Sequence, residues 1–382
     1  MLKVAVGHSN DPDSAEAIQE VLEQCQRSLA GSIPKAGILF AAVDFDHALI
    51  LQGIAEAFPD LELIGGTTDG ELSSVLEFQQ DSLTLMVFSA DDIEIRAAVG
   101  RNISEDPVAI AQQTVESAKQ SLSHPLRFCL TTPESLTTSV AAILEGFNKG
   151  LAGIPVFGGA VADQNRVQST YQFYKTELLQ NSAPILLFAG NIEFSHGVSS
   201  GWRPIGKRSP VTKVDDNMVY EIGGKPALEL YQHYFENFAP DAAYPMAVFP
   251  PDEDRFFLRG VLSHDPDCGS LKISGDMPSG AEVQIAEATQ EDILTAANTA
   301  FAEAWENYPG AAPAAALFFS CAWRRWILGT QTAQEFQSIA QELPAPLPMC
   351  GFYTYGEITP LREHGQVFLH NTTFVTLLIG QS

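Results

Sequence analysis

One pattern is written three times along this chain, and a repeat of that length decides the architecture before any single residue does. Each copy opens with a β-branched or alternating run: LKVAVGHS from Leu2, IEIRAAVG from Ile93 and EVQIAEAT from Glu282. Apolar residues at helical spacing follow: Ala17, Ile18, Val21, Leu22, Cys25 and Leu29 in the first copy, Val108, Ala111, Val115 and Leu122 in the second, Ile293, Ala297, Ala300, Phe301 and Trp305 in the third. Three strongly apolar runs come next, AGILFAAV from Ala36, LRFCLTT from Leu126 and AAALFFSCA from Ala314, which suit strands covered on both faces. A second helix then leads to a short strand and a glycine turn: PDLELIGGTTDGE from Pro59, GIPVFGGAVAD from Gly153 and APLPMCGFYTYGE from Ala345. A last strand closes each copy, as DSLTLMVFSA, APILLFAGNI and TTFVTLLIG. Strands joined by helices of this length run parallel through right-handed crossovers, so the chain reads as α/β, in repeated strand-helix-strand-helix-strand units.

Residues 192 to 282 break the repeat. They hold the turn-rich SHGVSSGWRPIGKRSP, one helical piece (PALELYQHYFENF) and a hairpin text, DRFFLRGVLSHDPDCGSLKIS, with Asp, Pro and Gly at its centre. This is a β-rich connector, and it places a domain boundary near Ile222 to Pro226, giving an amino-terminal domain of residues 1–222 and a carboxy-terminal one of residues 223–382.

Composition narrows the function classes. A chain of 382 residues that is 45% hydrophobic buries its cores without staples. Its five cysteines, Cys25, Cys129, Cys268, Cys321 and Cys350, are odd in number and never form a CxxC pair, which argues against disulfides and thiolate zinc and for a reducing compartment. The start, MLKVAVGHSNDPD, lacks a secretory apolar core, and Ala311 to Trp323 is too short for a bilayer span; a cytoplasmic protein without membrane insertion is expected. A net charge of -26 with no Lys/Arg cluster disfavours nucleic acid. No histidine shows HExxH or Cys/His spacing, so no metal site is expected.

The order of the turns resembles the FIST family, named for F-box and intracellular signal-transduction proteins. IGGTTDGEL, VFGGAVAD, HGVSSGWRPIGKRSPVTKV and YEIGGKPALELYQHYF resemble the amino-terminal FIST domain; SCAWRRWILG, MCGFYTYGEITP and FLHNTTFVTLLIG resemble the carboxy-terminal one. The resemblance covers nearly the whole chain and implies a non-enzymatic sensory module for a small ligand such as an amino acid or related anion, signalling through a separate output protein. Two further readings stay open: a protein-recognition scaffold without a small ligand, as the F-box fusions imply, and a heme-binding gas sensor, as described for some FIST proteins, with His196 as axial ligand.

The first and third turns align residue for residue, Gly65, Thr68, Gly70 and Glu71 with Gly351, Thr354, Gly356 and Glu357, while the middle one keeps only Gly158 and Gly159. Loops at strand ends are the usual ligand positions in open α/β sheets, so the candidate binding set is Gly65, Gly66, Thr67, Thr68, Gly70, Glu71, Gly351, Tyr353, Thr354, Tyr355, Gly356 and Glu357, unless the turns serve the fold alone. Trp202 and Arg203 form an aromatic-cation pair that lines the pocket or braces the connector. Arg324 and Arg325, between Trp323 and Trp326, hold a carboxylate or pair with neighbours such as Glu335. Gly201 to Lys207 nearly spells a phosphate loop but has Arg208 where the hydroxyl belongs. Cys321 and Cys350 sit at strand ends with no histidine near in sequence, and GxSxG is absent. His364 and His370 flank a turn as surface or strand-end residues.

Overall fold

The computed structural model describes residues 2–235, 243–251, 255–343, 346–361 and 367–381. His364 lies outside them, as do residues 236–238 of the helical text, Asp254 of the hairpin text and Ala345 of the third turn. The first unit runs β1 (Lys3–Ser9), α1 (Ser14–Leu29), β2 (Ala36–Ala41), α2 (His47–Ala57), β3 (Glu62–Thr67), β4 (Glu71–Ser73), β5 (Glu77–Gln79) and β6 (Leu83–Ser89). The second repeats it as β7 (Ile93–Arg101), α3 (Pro107–Lys119), β8 (Leu126–Thr131), α4 (Val140–Leu151), β9 (Val156–Gly159), β10 (Gln172–Tyr174), β11 (Glu177–Leu179) and β12 (Ser182–Gly190). Helices begin where the sequence supplies an acceptor for the first free amides. Asp13 caps α1, Asp46 caps α2, and Asp106 with Pro107 starts α3.

The third unit is opened by β13 (Glu193–Ser199), and the rest of it returns only after the connector. EVQIAEAT is therefore not its first strand. β13 lies antiparallel to the unit's last strand, β26 (Phe374–Gly380), as β1 lies on β6 and β7 on β12. Gly197 interrupts the apolar alternation of β13, and it is needed there: a Cβ would stand 2.0 Å from the Ala300 carbonyl of the covering helix.

The connector is β14 (Arg203–Asp215), β15 (Met218–Ile222), β16 (Lys225–Pro226), α5 (Leu228–Gln232), β17 (Met246–Phe249), β18 (Phe257–Arg259), β19 (Val261–Asp265), β20 (Ser270–Ile273) and β21 (Glu282–Glu287). Its sheet has the order β18-β17-β21-β14-β15-β20-β19, with β16 on β15, so EVQIAEAT belongs here as β21. The expected hairpin is β19–β20, and Ile222 ends β15 at the Gly223–Gly224 turn. The third unit then continues as α6 (Gln290–Glu306), β22 (Ala315–Cys321), α7 (Ala322–Leu328), α8 (Thr332–Glu342), β23 (Met349–Thr354), β24 (Glu357–Pro360), β25 (Val367–His370) and β26.

The units do not share one sheet. Three six-stranded sheets form, ordered β1-β6-β2-β3-β10-β11, β25-β24-β9-β8-β12-β7 and β13-β26-β22-β23-β4-β5. In each unit the crossover pair, β2–β3, β8–β9 or β22–β23, is parallel, and the last strand inserts antiparallel beside it. Each unit also gives its short hairpin away: β4–β5 to the third sheet, β10–β11 to the first and β24–β25 to the second. The inner faces of all three sheets meet in one core, where Phe40 stacks on Phe352 (4.3 Å) and Phe128 on Phe188 (4.5 Å). Helices cover the outer faces, which is why the middle strands are apolar on both sides.

Candidate functional site

The three glycine bends are the segments through which each unit passes from its own sheet into the sheet that receives its hairpin. Their first glycines, Gly65, Gly158 and Gly351, stand against the parallel neighbour strand, where a Cβ would meet the carbonyl oxygen of Leu39 at 1.9 Å, Thr131 at 2.0 Å or Phe318 at 2.4 Å. The bends then bond to one another in a closed triangle. Asp69 N donates to Tyr353 O and Tyr353 N to Gly70 O (both 2.9 Å); Ala162 N donates to Thr67 O (2.8 Å) and Thr67 N to Tyr171 O (3.0 Å); Ala160 N donates to Gly356 O (2.9 Å) and Tyr355 N to Ala160 O (3.1 Å). The structure thus brings Gly65, Gly66, Thr67, Thr68, Gly70, Glu71, Gly351, Tyr353, Thr354, Tyr355, Gly356 and Glu357 together. Thr67, Thr68, Glu71, Tyr353, Thr354 and Glu357 are wholly buried.

Glu71, Gln172 and Glu357 hold one position in the three donated hairpins, opposite Phe352, Gly66 and Gly159. Each is held by a hydroxyl at the start of its unit's last strand. Ser82 Oγ donates to Glu71 Oε2 (2.5 Å), Ser182 Oγ to Gln172 Oε1 (3.0 Å) and Thr373 Oγ1 to Glu357 Oε2 (2.7 Å). The other oxygen of Glu71 accepts from Thr68 Oγ1, and His8 joins through Ser82 (2.8 Å) and Ser73 (2.7 Å). Burial outweighs these donors and pushes Glu71 and Glu357 up to about 8, while it holds His8 down at about 3. Gln172 was hidden in the sequence because the loop from Asp163 to Tyr171 replaces the Gly-Glu step; the shared Ser/Thr before each last strand was the available signal.

Asp69 is also wholly buried, and its partners Arg325 and Trp326 are partly exposed and form the rim of the joined bends. Its Oδ2 accepts from Arg325 Nη1 (2.7 Å) and Trp326 Nε1 (2.9 Å), and its Oδ1 has no hydrogen-bond partner among the described residues. Burial raises its carboxyl against the pull of Arg325. On the middle bend, Asp163 accepts from Tyr355 Oη (2.6 Å) and from the amides of Val167, Gln168 and Ser169. Burial would raise Asp163, yet these donors hold it below the usual range.

The other candidates sit elsewhere. Trp202 is buried beside Ala247, Leu258, Ile293 and Leu328 and donates to Ala243 O (3.1 Å); Arg203 is exposed on β14, 3.5 Å from Glu287. The stretch from Gly201 to Lys207 runs into strand β14 and has no helix to cradle a phosphate. Arg324 is fully buried, paired with Glu335 (2.6 Å) and donating to the carbonyls of Ser200, Thr372 and Ile293. His196 does not fit axial ligation of heme, because its Nε2 meets Pro360 O (3.2 Å) and its ring lies against Phe157 (5.1 Å). Of the two positions expected for His370, surface or strand end, it takes the second: it is the last residue of β25, buried, and bonds Thr359 O. Two clefts, about 400 Å³ on α2 by Gln52 and about 510 Å³ between β7 and α3, are lined by no bend residue. No group of metal-ligating side chains occurs among the described residues, nor a helix long and apolar enough to cross a membrane.

Comparison with known proteins places this geometry in a family. The FIST N domain matches residues 35–225 and the FIST C domain residues 227–360, so the chain belongs to the FIST family, whose domains are sensory domains of signal transduction. An uncharacterised protein of Mycobacterium tuberculosis H37Rv is 26% identical over 391 residues, covering 97% of this chain and 98% of its own. One from Methanocaldococcus jannaschii is 23% identical over 260 residues, 64% of this chain and 49% of its own. Among solved structures, cyanuric acid hydrolase from A. caulinodans aligns over 100% of this chain and 99% of its own, at 11% identity and a TM-score of 0.35.

Proposed function

We propose that this chain is a cytoplasmic, non-enzymatic sensor that takes a small zwitterion, an amino acid or a close analogue, at the rim of the joined bends and signals through a separate protein. The carrying observation is Asp69, buried with one oxygen held by Arg325 and Trp326 and the other without a donor. An unsatisfied buried carboxylate oxygen costs about 1–3 kcal/mol or more, which an incoming ammonium would offset. Arg325, partly exposed beside it, offers the ligand carboxylate a guanidinium. Burial pushes the thiols of Cys321 and Cys350 well above their usual range, the reverse of an activated nucleophile, which supports a binding role over a catalytic one.

A thermal-shift panel of amino acids tests the reading, since a ligand that binds the native state raises its midpoint. At least one compound should do so, Asp69→Asn should abolish the shift, and Arg203→Ala should leave it. A shift untouched by Asp69→Asn moves the site elsewhere. No shift from any compound, with a stable partner in a pull-down, would favour the scaffold reading.

A further inference from the structure

We propose that Glu71 and the Thr68 hydroxyl form a proton-responsive latch on the first bend, in which the Ser73-His8-Ser82 arm stays fixed and only the Thr68 side changes. The direction of every hydrogen bond in the arm follows from counting donors. Ser73 Oγ accepts from the amides of Val75 (3.0 Å) and Leu76 (3.2 Å), which uses both its lone pairs. Its one proton must therefore go to His8 Nδ1, at 2.7 Å. His8, held neutral by burial, then carries its proton on Nε2 and donates to Ser82 Oγ, at 2.8 Å. Ser82 in turn donates to Glu71 Oε2. Reversing this arm would ask Ser73 to accept three bonds and leave its own proton stranded.

The opposite oxygen has no such constraint. Thr68 Oγ1 donates to Glu71 Oε1 and accepts from Gly70 N (3.3 Å). When Glu71 takes a proton, the proton sits on Oε1 and points at the remaining lone pair of Thr68 Oγ1, which becomes its acceptor, and the Thr68 hydroxyl gives up its bond to Glu71 inside the buried bend, so the Thr68 side is the weaker one in this form. When Glu71 releases that proton to solvent, Thr68 donates again. The other titratable groups around Glu71 are His8 on β1, Asp81 on the turn before β6, Cys350 on β23 and, on the same bend, Asp69, which burial also raises against the pull of Arg325; Glu71→Gln separates the Asp69 titration from that of Glu71. Asp81 adds to the burial that places the titration near neutral pH, at about 8. The middle unit has an amide here, Gln172, and the third has Glu357, which Thr373 holds and to which no histidine is hydrogen-bonded among the described residues, His370 across the strand pair bonding Thr359 O instead. Thr68 and Gly70 flank Asp69, so the latch would regulate the rim. That consequence rests on the proposed function; the proton chemistry does not.

The experiment is NMR of the full chain, labelled with 15N on histidine, glycine and aspartate, titrated between about pH 5 and 10. The amides of Gly70 and Asp69 should move together with a one-proton midpoint near 8, while His8 keeps the Nε2–H tautomer throughout. Glu71→Gln should abolish that titration and leave the tautomer unchanged. Thr68→Val, which keeps the volume, should reduce the Gly70 shift change several-fold and serves if Glu71→Gln does not fold. Flat Gly70 and Asp69 profiles in the native chain would overturn the latch. A His8 tautomer that flips with the same midpoint would overturn it too, since the proton would then run through the arm. Neither readout needs a ligand, so failure here and failure of the amino-acid panel are separable.

Discussion

Four buried side chains set opposing slopes on the stability of this protein. Glu71 and Glu357 keep their protons in the fold up to about 8, whereas an unfolded glutamate releases its own near 4.5, so both oppose stability as pH rises between those values. His8 and His370, lowered by burial to about 3 and about 4, stay neutral where an unfolded histidine protonates near 6.5, so both oppose stability as pH falls below 6.5. Between about 4.5 and 6.5 the slopes cancel. Urea midpoints are expected to show a plateau there and a fall above it, of at most about 1.4 kcal/mol per pH unit for each carboxyl. The double variant Glu71→Gln, Glu357→Gln should flatten that alkaline fall. Arg324 makes a sharper case, since Arg324→Ala strands the buried Glu335 and should cost about 3–5 kcal/mol in equilibrium unfolding.

Helix α7 ties distant parts of the molecule together through four consecutive side chains. Trp323 lies against Gly260 of the connector, Arg324 enters the third unit's core, and Arg325 and Trp326 reach Asp69 of the first unit. At Gly260 a Cβ would stand 1.4 Å from the Trp323 ring, so Gly260→Ala must displace the indole. It is expected to destabilise by about 1–3 kcal/mol and to shift the tryptophan emission. The WRRW text was legible as a site where arginine pairs with an acid, and Arg324 with Glu335 was one of the two readings its composition allowed. That its neighbour reaches Asp69 was not, because no periodicity encodes a contact across 256 residues. Helices and core strands were legible, since burial on both faces leaves continuous apolar runs. The first strand of the third unit was not: Gly197 breaks the alternation of β13, while EVQIAEAT alternates well and directly precedes α6. Of the site, the symmetry of the glycine bends is legible in the sequence, while the text around Trp202 and Arg203 allows either a pocket lining or a brace for the connector, and the fold puts both residues against the connector.

Across the whole molecule, the exchanged hairpins make the units depend on one another. Residues 1–222 alone would keep β4–β5 without β23, and β9 without β24. Such a fragment exposes unpaired strand edges and is expected to aggregate, whereas co-expression with residues 223–382 should return a soluble complex on size-exclusion chromatography. Pairing between strands so far apart also escapes sequence reading, because hairpin text shows that a hairpin forms and not which sheet receives it.

The loan of hairpins passes from the first unit to the third, from the third to the second, and from the second back to the first. A polypeptide with a single copy could meet the same need as a closed ring of three identical subunits, each lending a finger to the next. This chain is in that sense a trimer sewn end to end, with the connector let into its third part between β13 and α6.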